Sequence, residues 1–257
     1  MATTNRKSAI TGRPVWFITG CSTCFGRELA KHVLECGYRA VVTDRDLIDV
    51  NDLAPDRDVL GLKLDITIQS QIDAAIDAAE KKFGRIDVLV NNAGIYNFSS
   101  FEESEEDQVR QMFEINVIGL SRMIHAALPG MRNRRKGFIV NFSVIGGVHS
   151  VPPTGYYNAT KYAVEGLSEA IRQEVEPLGI KLMLVEPIGF RSYGARPSAN
   201  ESKWQSDDYA AMANVGISPV TDTSDRQPGD TVRAAYLIVK AFESLNPPLR
   251  LLLGNDA

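Results

Sequence analysis

Short apolar runs alternate along this chain with longer stretches in which apolar residues recur every three or four positions. The runs at Val15–Thr19, Ala40–Thr43, Val59–Leu64, Ile86–Val90, Phe138–Phe142, Lys181–Val185 and Leu249–Leu253 read as seven strands. They are nearly unbroken rather than alternating, the pattern of strands covered on both faces. Helices are expected between them at Arg27–Cys36, Ile72–Phe83, Glu103–Met131 (interrupted near Gly119), Gly155–Leu178 and Gly229–Ser244. Strand and helix in strict alternation mean βαβ units, and right-handed crossovers wind them into an open parallel sheet with helices on both faces. The expected fold class is therefore α/β, one doubly wound domain over residues 1–257. Only the stretch from about 191 to 227 lacks periodicity, with Pro, Ser and Asp around Tyr193, Trp204 and Tyr209. Unpatterned segments of that length often cover a ligand, so it reads as a lid.

Composition narrows the classes. With 28 Lys and Arg against 32 Asp and Glu, the net charge of −4 argues against a nucleic-acid partner, which needs a basic surface. No apolar run reaches the length of a membrane span, and the first 14 residues lack an apolar leader core. The three cysteines, Cys21, Cys24 and Cys36, cluster near the N-terminus and cannot staple a fold of this size. A reducing, cytoplasmic setting follows as the expectation. Cys21 and Cys24 stand in a C-x-x-C spacing, but no second such pair exists, so no metal is expected.

The first crossover carries the first candidate chemistry. Strand one runs into Thr19-Gly20-Cys21-Ser22-Thr23-Cys24-Phe25-Gly26 and then a helix. In a Rossmann-like sheet such a turn holds a pyrophosphate: glycines allow close approach, and the helix N-terminus supplies N–H donors and a favourable dipole. Gly20, Ser22, Thr23, Phe25 and Gly26 are the candidates there. Strand two ends at Asp44, 18 residues past Gly26. A carboxylate at that tip accepts from the ribose hydroxyls and repels a 2′-phosphate, which favours NAD; the adjacent Arg45 would instead welcome the phosphate of NADP.

The second candidate is Tyr157-Asn158-Ala159-Thr160-Lys161, a phenol and an ammonium one helical turn apart. A neighbouring cation favours the ionised phenol and draws its pKa toward neutrality, as proton exchange with an alcohol or carbonyl requires. The spacing occurs twice. Tyr236 and Lys240 repeat it among ordinary helix-packing residues. Tyr157 differs in following strand five, whose C-terminal edge borders the nucleotide crevice.

Taken together, these pieces make the chain resemble the short-chain dehydrogenase/reductase family from about Val15 to Leu253. They come in the family's order: Thr19-Gly20…Gly26, Asp65 after strand three, Asn91-Asn92-Ala93-Gly94 after strand four, Asn116 in the long helix, then Tyr157 and Lys161. Phe25-Gly26, Glu186-Pro187 and the strand ending at Gly254 are most similar to the retinol- and hydroxysteroid-dehydrogenase types. The resemblance implies an NAD(P)-dependent oxidoreductase interconverting an alcohol and a carbonyl on a fairly apolar small molecule. It implies Tyr157 as general acid/base, Lys161 as its partner and ribose ligand, and Asn116 as holder of a relay water. Asp65 and Ile66 would meet the adenine, and Asn92, Ala93 and Gly94 the cofactor's ribose. Pro187, Ile188, Gly189 and Ser192 would line the nicotinamide. It also implies a homodimer or homotetramer, paired through the Glu103–Met131 and Gly155–Leu178 helices.

Three positions depart from the family pattern. Cys24 replaces the middle glycine of T-G-x-x-x-G-x-G, which crowds the pyrophosphate turn or strains its backbone. Val144 replaces the substrate-orienting Ser, removing an oxyanion-type donor. Ser143 is adjacent and is the candidate replacement, though neighbouring strand residues face opposite ways. Ile188 intrudes into the family's Pro-Gly after strand six and is expected either to narrow the pocket or to reshape the start of the lid. His149 and Tyr156 are either substitute donors or an exposed loop His and a packing Tyr. Loss of the Ser also leaves open a redox-neutral isomerase, dehydratase or cyclase of specialised metabolism, and a non-catalytic nucleotide-binding protein.

Overall fold

The computed structural model describes residues 12–46, 52–53, 58–188, 190, 199–201, 206–209 and 229–254. Seven strands form one parallel sheet: β1 (Val15–Thr19), β2 (Arg39–Asp44), β3 (Val59–Lys63), β4 (Val88–Asn91), β6 (Gly137–Phe142), β7 (Ile180–Pro187) and β9 (Arg250–Leu253). Their order is β3-β2-β1-β4-β6-β7-β9. Each expected strand is present within a few residues of its expected bounds. Two further strands, β5 (Tyr96–Phe98) and β8 (Ala199–Glu201), pair in parallel as a separate ribbon. Three-residue strands carry too little pattern to be read from sequence, and β8 falls inside the stretch expected to be an unpatterned lid.

The helices are α1 (Cys24–Glu35), α2 (Gln69–Phe83), α3 (Glu106–Phe113), α4 (Leu120–Asn133), α5 (Gly155–Val175) and α6 (Thr231–Glu243). The expected interruption near Gly119 is a widened turn rather than a break. A π-helix over Glu114–Gly119 joins α3 to α4 without leaving the helical path, and such π segments often mark functional positions.

Alternation along each strand distributes the core to both faces of the sheet. Trp16 and Ile18 of β1 pack with Leu29 and Val33 of α1 and Ile238 and Phe242 of α6. Val15 and Phe17 turn the other way, toward Ile72 and Ile76 of α2, Met123 of α4 and Val164 of α5. Trp16, Phe17 and Ile18 are completely buried, and the Trp16 and Phe242 rings meet at 5.0 Å. The chain leaves β1 for β2 on one side and reaches β4 on the other, so a crevice opens at the C-terminal ends of β1 and β4. Both candidate motifs lie at that edge.

Candidate active site

The crevice is a cleft of about 480 Å³. Its walls include Gly20, Ser22, Thr23, Cys24 and Phe25 from the first turn, Asp44 and Arg45 from the end of β2, and Asp65 and Ile66 after β3. Asn92, Ala93, Gly94, Tyr96, Ser143, Val144, Tyr157, Lys161 and Pro187 complete its inner half.

The first turn is built for a close approach. Gly20 has φ +72°, a left-handed conformation natural to glycine. A β-carbon on Gly26 would overlap the Gly20 carbonyl oxygen, so the turn closes only with glycine there, beneath the cleft rather than on its wall. The Asn92 amide donates to the carbonyls of Thr19 (3.0 Å) and Gly20 (2.8 Å), and Thr19 Oγ1 accepts from the N–H groups of Asn92 and Ala93, both at 3.1 Å. The Gly motif and the Asn-Ala-Gly motif are thus one hydrogen-bonded unit, although 72 residues separate them. Thr23 begins α1 without a side-chain cap, and no acidic residue sits in the first turn. The helix's leading N–H groups and positive dipole end are therefore left for an anion. Asp44 accepts from Ser22 N at 3.0 Å and from Arg45 N at 2.7 Å, which fixes its carboxylate at the rim. Asp65 accepts from the N–H and hydroxyl of Thr67, at 2.9 and 2.7 Å.

Cys24 holds φ +52°, so the departure from glycine is expressed as a strained left-handed backbone as well as a side chain on the cleft wall.

In the inner half, Lys161 Nζ donates to the Phe142 carbonyl at 2.9 Å and lies 5.7 Å from the Tyr157 ring centroid. Burial pulls the Lys161 ammonium down to about 8, against the opposing pull of the Glu165 carboxylate one turn along. Tyr157 moves opposite to the sequence expectation. Burial raises its phenol well above the ordinary value, and the neighbouring Tyr96 phenol raises it further. Desolvation is the dominant influence, and it favours the protonated phenol.

Asn116 sits within the π-helix, but its amide is already engaged. Oδ1 accepts from Ile95 N at 2.9 Å, while Nδ2 donates to Ile95 O at 2.7 Å and to Thr160 Oγ1 at 3.1 Å. Its side chain ties the chain entering β5 to α5.

The Ser143 hydroxyl is buried and has no hydrogen-bond partner among the described residues. It points at the α-carbon of Gly147, in the 3-10 turn over Ile145–Gly147, where an added β-carbon would meet it at 2.5 Å. Val144 joins it on the cleft wall with two methyls and no donor. Ile188 differs from expectation: its N–H bonds Leu253 O at 2.8 Å, its β-carbon faces Gly254, and it is absent from the cleft wall. The inserted residue is absorbed against β9, so it does not narrow the cleft. His149 is exposed, and Tyr156 stacks on Phe101 at 5.1 Å; neither lines the cleft. Gly189 and Ser192 lie outside the described residues, as does most of the 191–227 stretch. Among the described residues no cluster of His, Cys, Asp and Glu could hold a metal, and no helix is long and apolar enough to cross a membrane.

Sequence reasoning missed Tyr96. Its ring meets that of Tyr157 edge-on, with centroids 6.0 Å apart, and burial pushes its phenol up to about 12. It also missed a charge cluster behind Lys161, in which the carboxylates of Glu165 and Glu186 are buried. Arg250 of β9 reaches Glu165 at 2.9 Å, Glu169 at 2.5 Å and Glu186 at 3.1 Å. The only available signal was an Arg in a terminal apolar strand.

The family model for short chain dehydrogenases matches residues 14–203. The chain belongs to that family. A curated relative, oxidoreductase BOA17 of Botryotinia fuckeliana, is 33% identical over 247 residues, covering 95% of this chain and 89% of its own length. A solved short-chain dehydrogenase from Streptomyces avermitilis is 37% identical, with a TM-score of 0.85 over 96% of this chain and 90% of that one. A Burkholderia phymatum relative solved with NAD is 25% identical, with a TM-score of 0.81 over 93% and 88%.

Proposed function

We propose that this dehydrogenase-family chain interconverts an alcohol and a carbonyl on a fairly apolar small molecule, using a nicotinamide dinucleotide. The cleft residues fit that cofactor. Glycines close the first turn, uncapped N–H groups face the pyrophosphate position, and Asp44 stands where ribose hydroxyls would donate. NAD is preferred over NADP because the Asp44 carboxylate would oppose a 2′-phosphate; Arg45 on the same rim is the feature that would admit it. A bound nicotinamide cofactor would supply the hydride chemistry at the substrate carbon. Tyr157 exchanges the accompanying proton with the substrate oxygen. Lys161, held by the Phe142 carbonyl, presents positive charge beneath that phenol and toward the cofactor ribose. Asn116 fixes the floor through Ile95 and Thr160.

The observation that carries this reading is Tyr157 and Lys161 meeting in the one cleft that the glycine turn also lines. The test is single-turnover oxidation of bound NADH against a panel of aromatic and aliphatic carbonyls, comparing the native chain with Tyr157→Phe. Turnover unchanged in Tyr157→Phe would refute the assignment. A specific observation keeps a redox-neutral reading as second: Val144 leaves the Ser position without a hydroxyl, and Ser143 turns its own away. Under that reading NADH binds, no carbonyl oxidises it, and Tyr157 serves as acid/base alone. Pairing of α4 and α5 between subunits is the proposed route to a homodimer or homotetramer. Tyr162 and Leu167 on α5, and Ile118 on the π-helix that leads into α4, are 38–46% exposed.

A further inference from the structure

Behind the inner cleft, α5 and the chain leaving β6 meet at Gly147. A β-carbon there would touch Ser143 Oγ at 2.5 Å, Glu165 Cγ at 3.2 Å and the Lys161 carbonyl carbon at 3.3 Å. The 3-10 turn therefore closes directly on the helix that carries the cleft lysine. Glu165 lies one turn after Lys161 on α5. Helical side chains lean toward the N-terminus, which carries its carboxylate back over the lysine's turn. Both residues are buried, at 5% and 8% exposure. Arg250 crosses from β9 to hold that carboxylate, with Nε 3.0 Å and Nη2 2.9 Å from Glu165 Oε2. No described residue of β9 lines the cleft, yet this edge strand reaches the cleft lysine through one carboxylate.

Resting on the function proposed above, we infer that Glu165 is a positioning residue acting through Lys161. Fixed by Arg250, its carboxylate keeps the lysine charged in the pH range where cofactor is held. Two influences compete at that ammonium: burial favours its neutral form, and Glu165 favours the charged one. Only as an ammonium does Lys161 present positive charge to the phenol and the cofactor ribose.

The other ionisable groups around the pair act elsewhere. Glu186 of β7 faces Glu165 and lies 3.1 Å from Arg250 Nε, while Glu169 takes the outer edge of the guanidinium at 2.5 Å. On the cleft side stand the Tyr157 and Tyr96 phenols and the Cys24 thiol. Of the three carboxylates, Glu165 is the one that bears on the ammonium. Arg250 offsets the cost of burying it, since a lone buried carboxylate would be strongly destabilising.

The test is the pH dependence of NADH affinity, read by fluorescence on the full chain from pH 6 to 9.5. Lys161→Met first assigns the fall above pH 8 to the lysine. Glu165→Gln removes the charge and keeps the size, so the midpoint of that fall should move down by about one unit. Affinity at pH 8 should then drop about fivefold, and at pH 6 stay within about twofold of native. Glu165→Asp keeps the charge and should hold the midpoint to within about 0.3 unit. Glu169→Gln, which also frees part of Arg250, should leave it in place. If Glu165→Gln does not fold, Glu165→Leu with Arg250→Leu removes both partners of the buried pair and should show the same downward move. A merely structural Glu165 would weaken stability, or affinity at every pH, without moving the midpoint. That result overturns the inference, as does an equal move in Glu169→Gln. A fall that survives Lys161→Met, or a native chain that does not bind NADH, would instead sink the function on which the inference rests, and the inference with it.

Discussion

Two Tyr-x-x-x-Lys pairs lie on helices of this protein with matching local geometry. Lys161 Nζ sits 5.7 Å from the Tyr157 ring centroid, and Lys240 Nζ sits 5.7 Å from that of Tyr236. Their surroundings differ completely. Tyr236 is 49% exposed on α6 and its ring meets that of His32 at 5.8 Å, whereas Lys161 is 8% exposed beneath a cleft. Helical spacing fixes the distance between the two groups, but the solvent around them decides whether either can do chemistry. Water screens the outer pair to a contact worth little. Burial at the inner pair moves both pKa values and leaves the lysine one fixed partner, the Phe142 carbonyl.

The sharpest way to break this comparison is to remove each phenol. Tyr157→Phe should reduce single-turnover hydride transfer by about 10²–10⁴-fold, the usual scale for a positioned general acid. Tyr236→Phe should leave rate and stability within about 0.5 kcal/mol of native, as for an exposed position. Equal losses in both variants would mean that the helical pair, and not its burial, is what matters.

The lysines sharpen it further. Lys161 is held down to about 8 by burial, so its charge is lost as pH rises through that value. NADH affinity, read by fluorescence between pH 7 and 9.5, should fall above pH 8 by up to about tenfold per unit. Lys161→Met should bind weakly with no such break, and Lys240→Met should retain it. A break that survives Lys161→Met would assign it to another group.

A third difference lies behind the inner pair. Glu186 is buried at the end of β7, and burial followed by the Glu165 carboxylate raises it to about 6, with Arg250 opposing. The folded state therefore binds this proton more tightly than the unfolded chain. Stability contributed by the neutral acid is present below the unfolded value of about 4.5 and is lost as pH rises through about 6. Glu186→Gln should flatten that fall and gain about 1–2 kcal/mol at pH 8, since Arg250 retains Glu165 and Glu169. Urea unfolding at pH 4.5, 6 and 8 reads it; an unchanged pH slope would show that the pair does not titrate there.

What could be read from the sequence follows the same division. The seven central strands and the helices between them were legible because buried parallel strands are written as continuous apolar runs. The glycine turn, Asp44, Asn92 and the inner Tyr-Lys pair were legible because each sits next to a strand tip. Tyr96 was not, since its place depends on β5 pairing with β8, a contact spanning about a hundred residues with no periodic signal. The course of Ile188 is illegible for a related reason: a one-residue insertion shows its volume in sequence but not the direction in which the strand end absorbs it. Only the charge partner of the phenol is visible in sequence, and desolvation, which sequence does not display, is the larger influence on its pKa.

The smallest effect tests the nucleotide side of the cleft, where Cys24 replaces glycine at φ +52°. A left-handed backbone costs a non-glycine residue about 1–2 kcal/mol. Restoring glycine recovers that, less about 0.5–1 kcal/mol for the greater freedom of the unfolded chain. Cys24→Gly should therefore raise stability by about 1 kcal/mol or less, a Tm shift of a few degrees at about 2–4 °C per kcal/mol. It also removes a side chain from the pyrophosphate wall, so NADH should bind more tightly while the hydride-transfer step, set at Tyr157, stays unchanged. A lower Tm would show that the thiol's contacts outweigh the strain. A changed chemical rate would mean that the two halves of the cleft are coupled, and that the burial of Tyr157 and Lys161 depends on the turn that faces them.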